Sequence, residues 1–186
     1  LSHPTRKSNK VELVSLWTRP GMRIYEHSLT LILIRAVKGL FPKARLIVQH
    51  SLSRGLYCEL ASFRKMRARD VQKIEKRMKE IVAADEPFED SCVSYRQALR
   101  LFKKHQQSDK ANLFKFRKFK NISISACGST IDCFYGPLSP STGILKVFEL
   151  KYHPPGFILR LPLVYNPDEL PEFQTQRKLF RIFQEH

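Results

Sequence analysis

A run of mostly apolar residues from Leu29 to Phe41 places the first limit on how this chain can fold. The run spans about 13 residues and three polar residues interrupt it, whereas a membrane-spanning helix needs roughly 20 apolar residues. Its apolar positions include Leu33 and Ala36 and recur at helical spacing, and Pro42 follows directly. We therefore predict a buried helix that begins near Glu26 and ends before Pro42.

Two more segments show helical patterns. From Asp70 to Ala84 the apolar residues fall on one face and the charged residues on the others. Ser94 and Gln97 have the spacing of a capping box, in which two side chains satisfy the first free amides of a helix. This spacing predicts that a basic helix begins after Ser94.

Short β-type segments separated by Gly, Pro and Ser turns fill most of the remaining chain. A Ser-Arg-Gly connection joins Arg45–His50 to Gly55–Leu60, which predicts a hairpin. We therefore expect an α+β fold, an antiparallel sheet packed with two or three helices. The remaining predicted strands are Val11–Leu16, Ile122–Ala126, Thr130–Phe134, Leu145–Lys151 and Phe157–Leu161.

The net charge of +16 is concentrated in two stretches of the 186 residues. Arg64 to Lys79 contains eight Lys or Arg against two acids, and Arg96 to Lys120 contains nine against one. Clustered cations favour a polyanionic partner, because several phosphates met together release counterions. The alternatives are solvated helix faces or a docking surface for an acidic domain. The candidate anion- or RNA-binding residues are Arg64, Lys65, Arg67, Lys73, Lys76, Arg77, Arg100, Lys103, Lys104, Lys115, Arg117 and Lys118.

Several local signatures of catalysis are missing from the sequence. No glycine is followed by lysine, which excludes a phosphate-binding P-loop, and no GxSxG, HExxH or CxxC motif occurs. The basic N-terminal residues precede no apolar stretch of the kind found in a secretory signal. We expect a cytoplasmic location, no membrane partner and four reduced cysteines.

A few side chains remain as candidates for a site. His27 and His50 stand at ends of predicted elements and, with Cys58 or Cys133, would supply the nitrogen and sulfur ligands that zinc prefers. The alternative is that these histidines bond backbone carbonyls and the cysteines fill the core, and we predict no bound metal.

Two carboxylates lie among apolar residues of predicted strands. Asp132 and Glu59 would act as general acid and base if the fold brought them together. Their alternative role is a salt bridge with one of the many Lys and Arg residues.

Five segments together resemble the editing domain of threonyl-tRNA synthetase. In that family the first helix carries an HxxxH pair, and a later C-R-G-P-H-like turn supplies a cysteine and a histidine for removal of mischarged amino acids. The segments are His27–Leu31, Leu40–Pro42, Gly55–Tyr57, Ile74–Met78 and Asp132–Pro137.

The resemblance carries the four catalytic positions of the editing domain onto this chain. They correspond to His27, Leu31, Phe134 and Leu138. Only His27 keeps the residue type of the family. The resemblance therefore implies the editing fold without the cluster that binds metal or positions a water.

A second group of motifs is similar to the N-terminal half of proteins of the phosphoribulokinase/uridine kinase family. Those proteins combine a TGS domain, an editing-like domain and a P-loop nucleoside kinase. The motifs are Gln49–Leu52, Gly55–Glu59, Phe134–Gly136, Pro140–Gly143 and Tyr152–Arg160.

The second resemblance implies a domain organisation. Residues 1–25 would be the tail of a TGS-like domain, residues 26–163 an editing-like domain, and residues 164–186 a linker toward a kinase. The prolines and acids after Pro162 agree with an extended linker, and Phe173–Gln184 has the pattern of a short helix. No cofactor is expected in this chain, while ATP and Mg²⁺ would belong to the kinase.

Three functions follow from these patterns as hypotheses. The first is a non-catalytic binding or regulatory module, with the C-terminal kinase domain of the same protein as its partner and RNA, tRNA or another anion as a further ligand. The second is a divergent aminoacyl-tRNA deacylase that uses His27, His50 and a cysteine. The third is a structural module that packs on the kinase.

Overall fold

The computed structural model describes residues 14–52, 54–61, 65–105 and 121–173. Three α-helices, seven strands and one short 3₁₀ helix (Thr142–Ile144) lie in these ranges. The helices are α1 (Arg19–Leu40), α2 (Ala68–Ala83) and α3 (Tyr95–Lys104). The strands are β1 (Arg45–Leu52), β2 (Gly55–Ala61), β3 (Glu89–Ser94), β4 (Asn121–Cys127), β5 (Thr130–Asp132), β6 (Glu149–His153) and β7 (Gly156–Arg160).

The strands form two antiparallel sheets where the sequence predicted one. The four-stranded sheet has the order β1-β2-β7-β6 and the three-stranded sheet the order β3-β4-β5. The predicted hairpin of β1 and β2 is confirmed, with Val48 opposite Cys58. The α+β class predicted from the sequence is confirmed.

The main apolar core lies between helices α1 and α2 and one face of the four-stranded sheet. Leu29, Leu33 and Ala36 of α1 are fully buried in it, together with Ile74 of α2 and Phe157 of β7. Helix α3 packs through Ala98 and Phe102 on the three-stranded sheet, in a separate cluster with Ile122 and Ile124. The burial of these helix faces agrees with the periodicity in the sequence.

Helix α1 begins seven residues before the predicted start at Glu26. The Thr18 hydroxyl accepts a hydrogen bond from the Gly21 amide, and Pro20 stands in the first turn, where its missing N–H costs nothing. Gly21 lies inside the helix. A side chain at this position would come 2.0 Å from the Ser15 carbonyl oxygen, so the glycine allows a close approach of the chain before the helix.

Two strands differ from their predicted bounds because side chains form hydrogen bonds with the backbone groups that strand pairing would use. The Tyr25 hydroxyl bonds both the amide and the carbonyl of Val147, and β6 starts only at Glu149. The Asp132 carboxylate accepts the Cys133 amide at 2.5 Å, and β5 ends at Asp132. The sequence predicted a strand that reaches Phe134, and this bound is wrong, since β5 stops two residues earlier.

Strand β3 was not predicted. Its sequence, Glu89 to Ser94, is polar and mostly exposed, so it shows no alternation of apolar residues. It forms by pairing along its whole length with β4, and only the tertiary structure supplies that partner.

Some predicted elements lie outside the described residues. Of the strand predicted at 11–16, only residues 14–16 are described, and these are not a strand. The helix predicted at 173–184 is described only at Phe173. The boundary predicted between residues 25 and 26 falls within α1.

The Pro-Ser-Thr-Gly motif forms a clasp that closes the end of α2. The fully buried Thr142 hydroxyl donates to the Ile81 carbonyl at 2.9 Å and accepts the Glu86 amide at 3.0 Å. Asp85 accepts from Ser141 and from the Gly143 amide in the same clasp.

We expect Thr142→Val to lower the free energy of unfolding by about 1–3 kcal/mol, because valine keeps the shape but leaves two backbone groups unsatisfied. Urea unfolding measures this change. Thr30→Val is the matched control, since the Thr30 hydroxyl only bonds a carbonyl of its own helix. Equal stabilities of the two variants would contradict the role of the clasp.

Candidate functional site

A cleft of about 230 Å³ opens beside the short strand β5. One wall is the first part of β4, residues 121–123, and the other is the segment 133–136 that follows β5. Phe134 is half-buried, and Tyr135 has 77% of its surface exposed. Gly136 has a φ of +102° and turns the chain at the rim.

The cleft exists because β5 is short. Strand β4 pairs with β3 from Asn121 to Ala126, but with β5 only from Ser125 to Cys127. The edge of β4 at residues 121–123 therefore has no strand on the side of the cleft within the described residues. Aromatic rings next to backbone hydrogen-bonding groups are suited to a flat, polar ligand such as a nucleobase.

Of the four positions carried over from the editing domain, Phe134 lines this cleft. The rings of His27 and Phe134 stack with their centroids 5.3 Å apart. Leu31 is fully buried and Leu138 is 8% exposed, both in the main core. The Ser139 amide donates to the buried Ser28 hydroxyl at 2.8 Å, which ties the segment after the cleft to α1.

The chemistry of these four side chains does not fit a metal or a water-activating cluster. A zinc site needs three or four nitrogen, sulfur or oxygen ligands, whereas three of the four positions are apolar. Partial burial, together with the nearby Arg23, also lowers the pKa of His27, so its imidazole is neutral at pH 7. A neutral ring stacked on Phe134 is a packing group.

The alternative zinc ligands are not brought together. His50 lies 5.4 Å, centroid to centroid, from the Tyr57 ring on the four-stranded sheet, whereas His27 packs on Phe134. Cys133 lines the cleft, while Cys58 is fully buried in the main core. Within the described residues, no three His, Cys, Asp or Glu side chains are arranged to hold a metal ion.

Cys58 has the properties of a core residue. Burial raises the pKa of its thiol to about 12, and the nucleophile in cysteine chemistry is the thiolate. Its thiol donates to the Leu56 carbonyl at 3.5 Å. This environment does not support a nucleophilic role for Cys58 at neutral pH.

Asp132 and Glu59 are in different sheets and do not form an acid–base pair. Asp132, on β5, is 2% exposed and bonds the next amide in the chain. Glu59, on β2, accepts a hydrogen bond from the Tyr57 hydroxyl at 2.8 Å. Neither carboxylate lines the cleft.

The cations predicted on α2 are exposed, but acids of the same helix neutralise part of their charge. Arg77 pairs with Glu80 at 2.8 Å and Lys79 with Glu75 at 2.5 Å. Lys73 and Lys76 are exposed on the same helix, and Lys65 and Arg67 on the segment before it. Arg64, Lys115, Arg117 and Lys118 lie outside the described residues.

Helix α3 presents a more uniform basic surface. Arg96, Arg100, Lys103 and Lys104 are all exposed, and the helix contains no acid. Their spacing places them along one side of the helix over about 12 Å. None of the four forms an ion pair with an acid in the parts of the chain that the structure describes. Arg96 was not among the predicted binding residues, although its helical spacing from Arg100 indicates the same side.

Helix α3 packs on the same three-stranded sheet that forms one wall of the cleft. Ile122 packs in the cluster beneath α3 and also lines the cleft, and Cys133 belongs to both. Burial and the charges of Lys38 and Lys104 lower the pKa of His105 at the end of α3. The end of α1 therefore adds a cation to the same region. Helix α2 packs on the main apolar core, whereas helix α3 packs on the separate cluster of the three-stranded sheet.

Comparisons with known proteins find similarity to threonine–tRNA ligases. The chain is 36% identical over 131 residues to the threonine–tRNA ligase of Paraburkholderia phytofirmans and 32% identical over 150 residues to that of Hahella chejuensis. These alignments cover 70% and 80% of this chain, but only 21% and 24% of the ligases. This chain is similar to one part of threonine–tRNA ligases. The similarity agrees with the resemblance in the sequence, and no family model matches.

No helix in the described ranges is both long enough and apolar enough to cross a membrane. The predicted interpretation of the run from Leu29 to Phe41 as a buried helix is confirmed by α1, whose apolar face lies in the main core.

Proposed function

We propose that this chain is a non-catalytic, editing-like binding module of a larger cytoplasmic protein. The observation that supports this proposal is which residues occupy the four carried-over positions and how they pack. The position of the second helix histidine is a buried leucine, and the two positions of the later turn are a phenylalanine stacked on His27 and a second buried leucine. A cleft lies beside Phe134, while three of the four positions hold apolar side chains that cannot activate water.

The proposed parent protein is a uridine-kinase-like nucleoside kinase. Its support is the group of motifs shared with the N-terminal half of that family, which includes the Pro-Ser-Thr-Gly clasp and the strand pair β6 and β7. In that protein the C-terminal kinase domain would be the partner of this module and would hold ATP and Mg²⁺. A GxxxxGK[ST] motif encoded after His186 would support this parent, and its absence would exclude it.

We expect the purified chain to release no amino acid from a mischarged tRNA above the uncatalysed rate, since the four carried-over positions hold no group that would activate the water. The rate of loss of the radiolabelled amino acid from the tRNA measures this. Elemental analysis after dialysis against a chelator should also give far less than one zinc per chain. Steady hydrolysis that His27→Ala abolishes would instead establish the deacylase.

The variant Leu31→His/Phe134→Cys/Leu138→His, which restores the residue types of the family, is the matched comparison. If this variant binds zinc and the parent chain does not, the loss of the cluster alone explains the missing metal. If neither binds zinc and the variant is folded by circular dichroism, the positions carried over from the family are not equivalent to a metal site.

RNA binding is the second candidate function, and the basic side of α3 favours it. Four exposed cations lie on α3, which packs on the same sheet as the cleft that carries the exposed ring of Tyr135. Cations that follow a nucleic-acid backbone next to aromatic rings are the common arrangement of single-strand binding surfaces. On this proposal α3 contacts phosphates and the cleft accepts an unpaired base, while α2 contributes less.

A further inference from the structure

Part of the outer face of the four-stranded sheet, the face away from α1 and α2, is buried, although no helix among the described residues packs on it. All five residues of β7 are buried, although Phe157 and Leu159 point into the main core and Ile158 points the other way. Leu52, Tyr57 and Ile158 form a separate apolar cluster with 1%, 2% and 0% exposure. Apolar side chains on the face of a sheet are excluded from water only where other residues pack over them.

The segment after β7 supplies part of that cover. Phe173 is the partly buried apolar side chain that packs on the cluster of Leu52, Tyr57 and Ile158. The Lys151 ammonium lies 3.7 Å from the centre of the Phe173 ring, and the Arg160 guanidinium lies 5.4 Å from it. These distances are within the range of cation–π attraction.

Backbone contacts fix the same segment near its end. Arg160, which is only 8% exposed, donates to the Pro171 carbonyl and pairs with Glu149 on β6. At its start, Leu161 is buried in the main core. The segment from Leu161 to Phe173 is therefore held at both ends. The sequence predicted an extended linker from residue 164, and the described part of it, up to Phe173, is attached to the sheet.

The geometry points to an aromatic-anchor site on the outer face of the four-stranded sheet, built by Lys151, Arg160, Ile158, Tyr57 and Leu52, whose ligand is Phe173 of the same chain. The site fixes Phe173 and the segment that precedes it on this face of the sheet. It leaves the cleft and the basic side of α3, which belong to the other sheet, uncovered by this segment. This role is independent of the functions proposed above.

Cleavage after Glu169 by a glutamate-specific protease tests the anchor in the full chain. Cleavage of a docked segment requires local opening, so its rate reports how often Phe173 leaves the site. We expect Phe173→Ala to raise the rate about tenfold, and Phe173→Trp, which keeps an aromatic ring, to stay within about twofold of the parent. All chains compared carry Glu172→Gln, because Glu172 directly precedes Phe173 and a cut there would respond to the substitution itself. The bond after Glu169 is then four residues from the changed side chain.

Two controls make the outcome decisive. The same variants cut in urea should show equal rates, and the melting temperature of Phe173→Ala should show that the sheets remain folded. Lys151→Met, which keeps the aliphatic stem and removes the cation, should give a smaller increase of about threefold. Equal native-state rates for the parent and Phe173→Ala would overturn the anchor site and assign the cover of the sheet to other residues.

Discussion

Reversing the charge of Arg100, Lys103 and Lys104 to glutamate is expected to weaken tRNA binding at about 50 mM salt by on the order of 100-fold. Each phosphate contact releases condensed counterions, so each lost contact costs several-fold in affinity at this salt concentration. The salt slope should fall by roughly one per lost contact, and the loss should be uniform across RNA sequences, because phosphates carry no base information. Fluorescence anisotropy titrations at several salt concentrations measure both quantities.

The matched control is the reversal of Lys73, Lys76 and Arg77 on α2. These cations are also exposed, but Glu80 already neutralises Arg77 and a second ion pair joins Lys79 to Glu75. We expect this variant to weaken binding by less than about tenfold. A larger loss of affinity in the α2 variant than in the α3 variant would show that the RNA-binding surface lies on α2. No binding by the parent chain would leave the charges as a docking surface or solvated faces.

Tyr135→Ala separates the cleft from the basic side of α3 in the same titrations. Removal of a stacked base contact should weaken binding of single-stranded RNA by roughly 5- to 100-fold without changing the salt slope. Unchanged affinity with this variant, combined with loss in the α3 variant, would retain the phosphate contacts and exclude a base in the cleft.

Gly156→Ala is expected to lower the free energy of unfolding by about 3 kcal/mol, which is a large fraction of the stability of a domain this size. A methyl group at Gly156 would lie 2.1 Å from the Cys58 carbonyl oxygen and 2.9 Å from the Glu59 side chain. The Gly156 amide also donates to the buried Tyr57 hydroxyl at 3.1 Å. Backbone on both sides must therefore move, at the centre of the four-stranded sheet.

Gly39→Ala provides the control for the same chemical change. No atom lies within 4 Å of the added methyl group, and the residue is in the last turn of α1. We expect this variant to be more stable by about 0.5–1 kcal/mol, because alanine loses less backbone entropy in a helix. Urea denaturation of both variants measures the difference, and a Gly156→Ala protein as stable as the parent would show that β2 and β7 approach less closely.

The sequence alone determined the elements whose pattern is local. The apolar stripes of α1 and α2, the capping box of Ser94 and Gln97 and the hairpin of β1 and β2 were all predicted, and all are present. Each depends on residues a few positions apart, so periodicity and turn chemistry are sufficient. The motifs also indicated the editing-like fold and the apolar replacements at the carried-over positions.

The tertiary structure decided everything that depends on distant partners. Strand β3 exists only because β4 pairs with it, and β6 starts late because Tyr25, 122 residues before Val147, takes the backbone groups of that residue. The division into two sheets, the cleft left by the short β5 and the stacking of His27 on Phe134 have the same origin. Side chains from distant elements form hydrogen bonds with backbone groups and pack on apolar residues. A single stretch of sequence does not show which distant residue makes these contacts, so its local pattern cannot predict them.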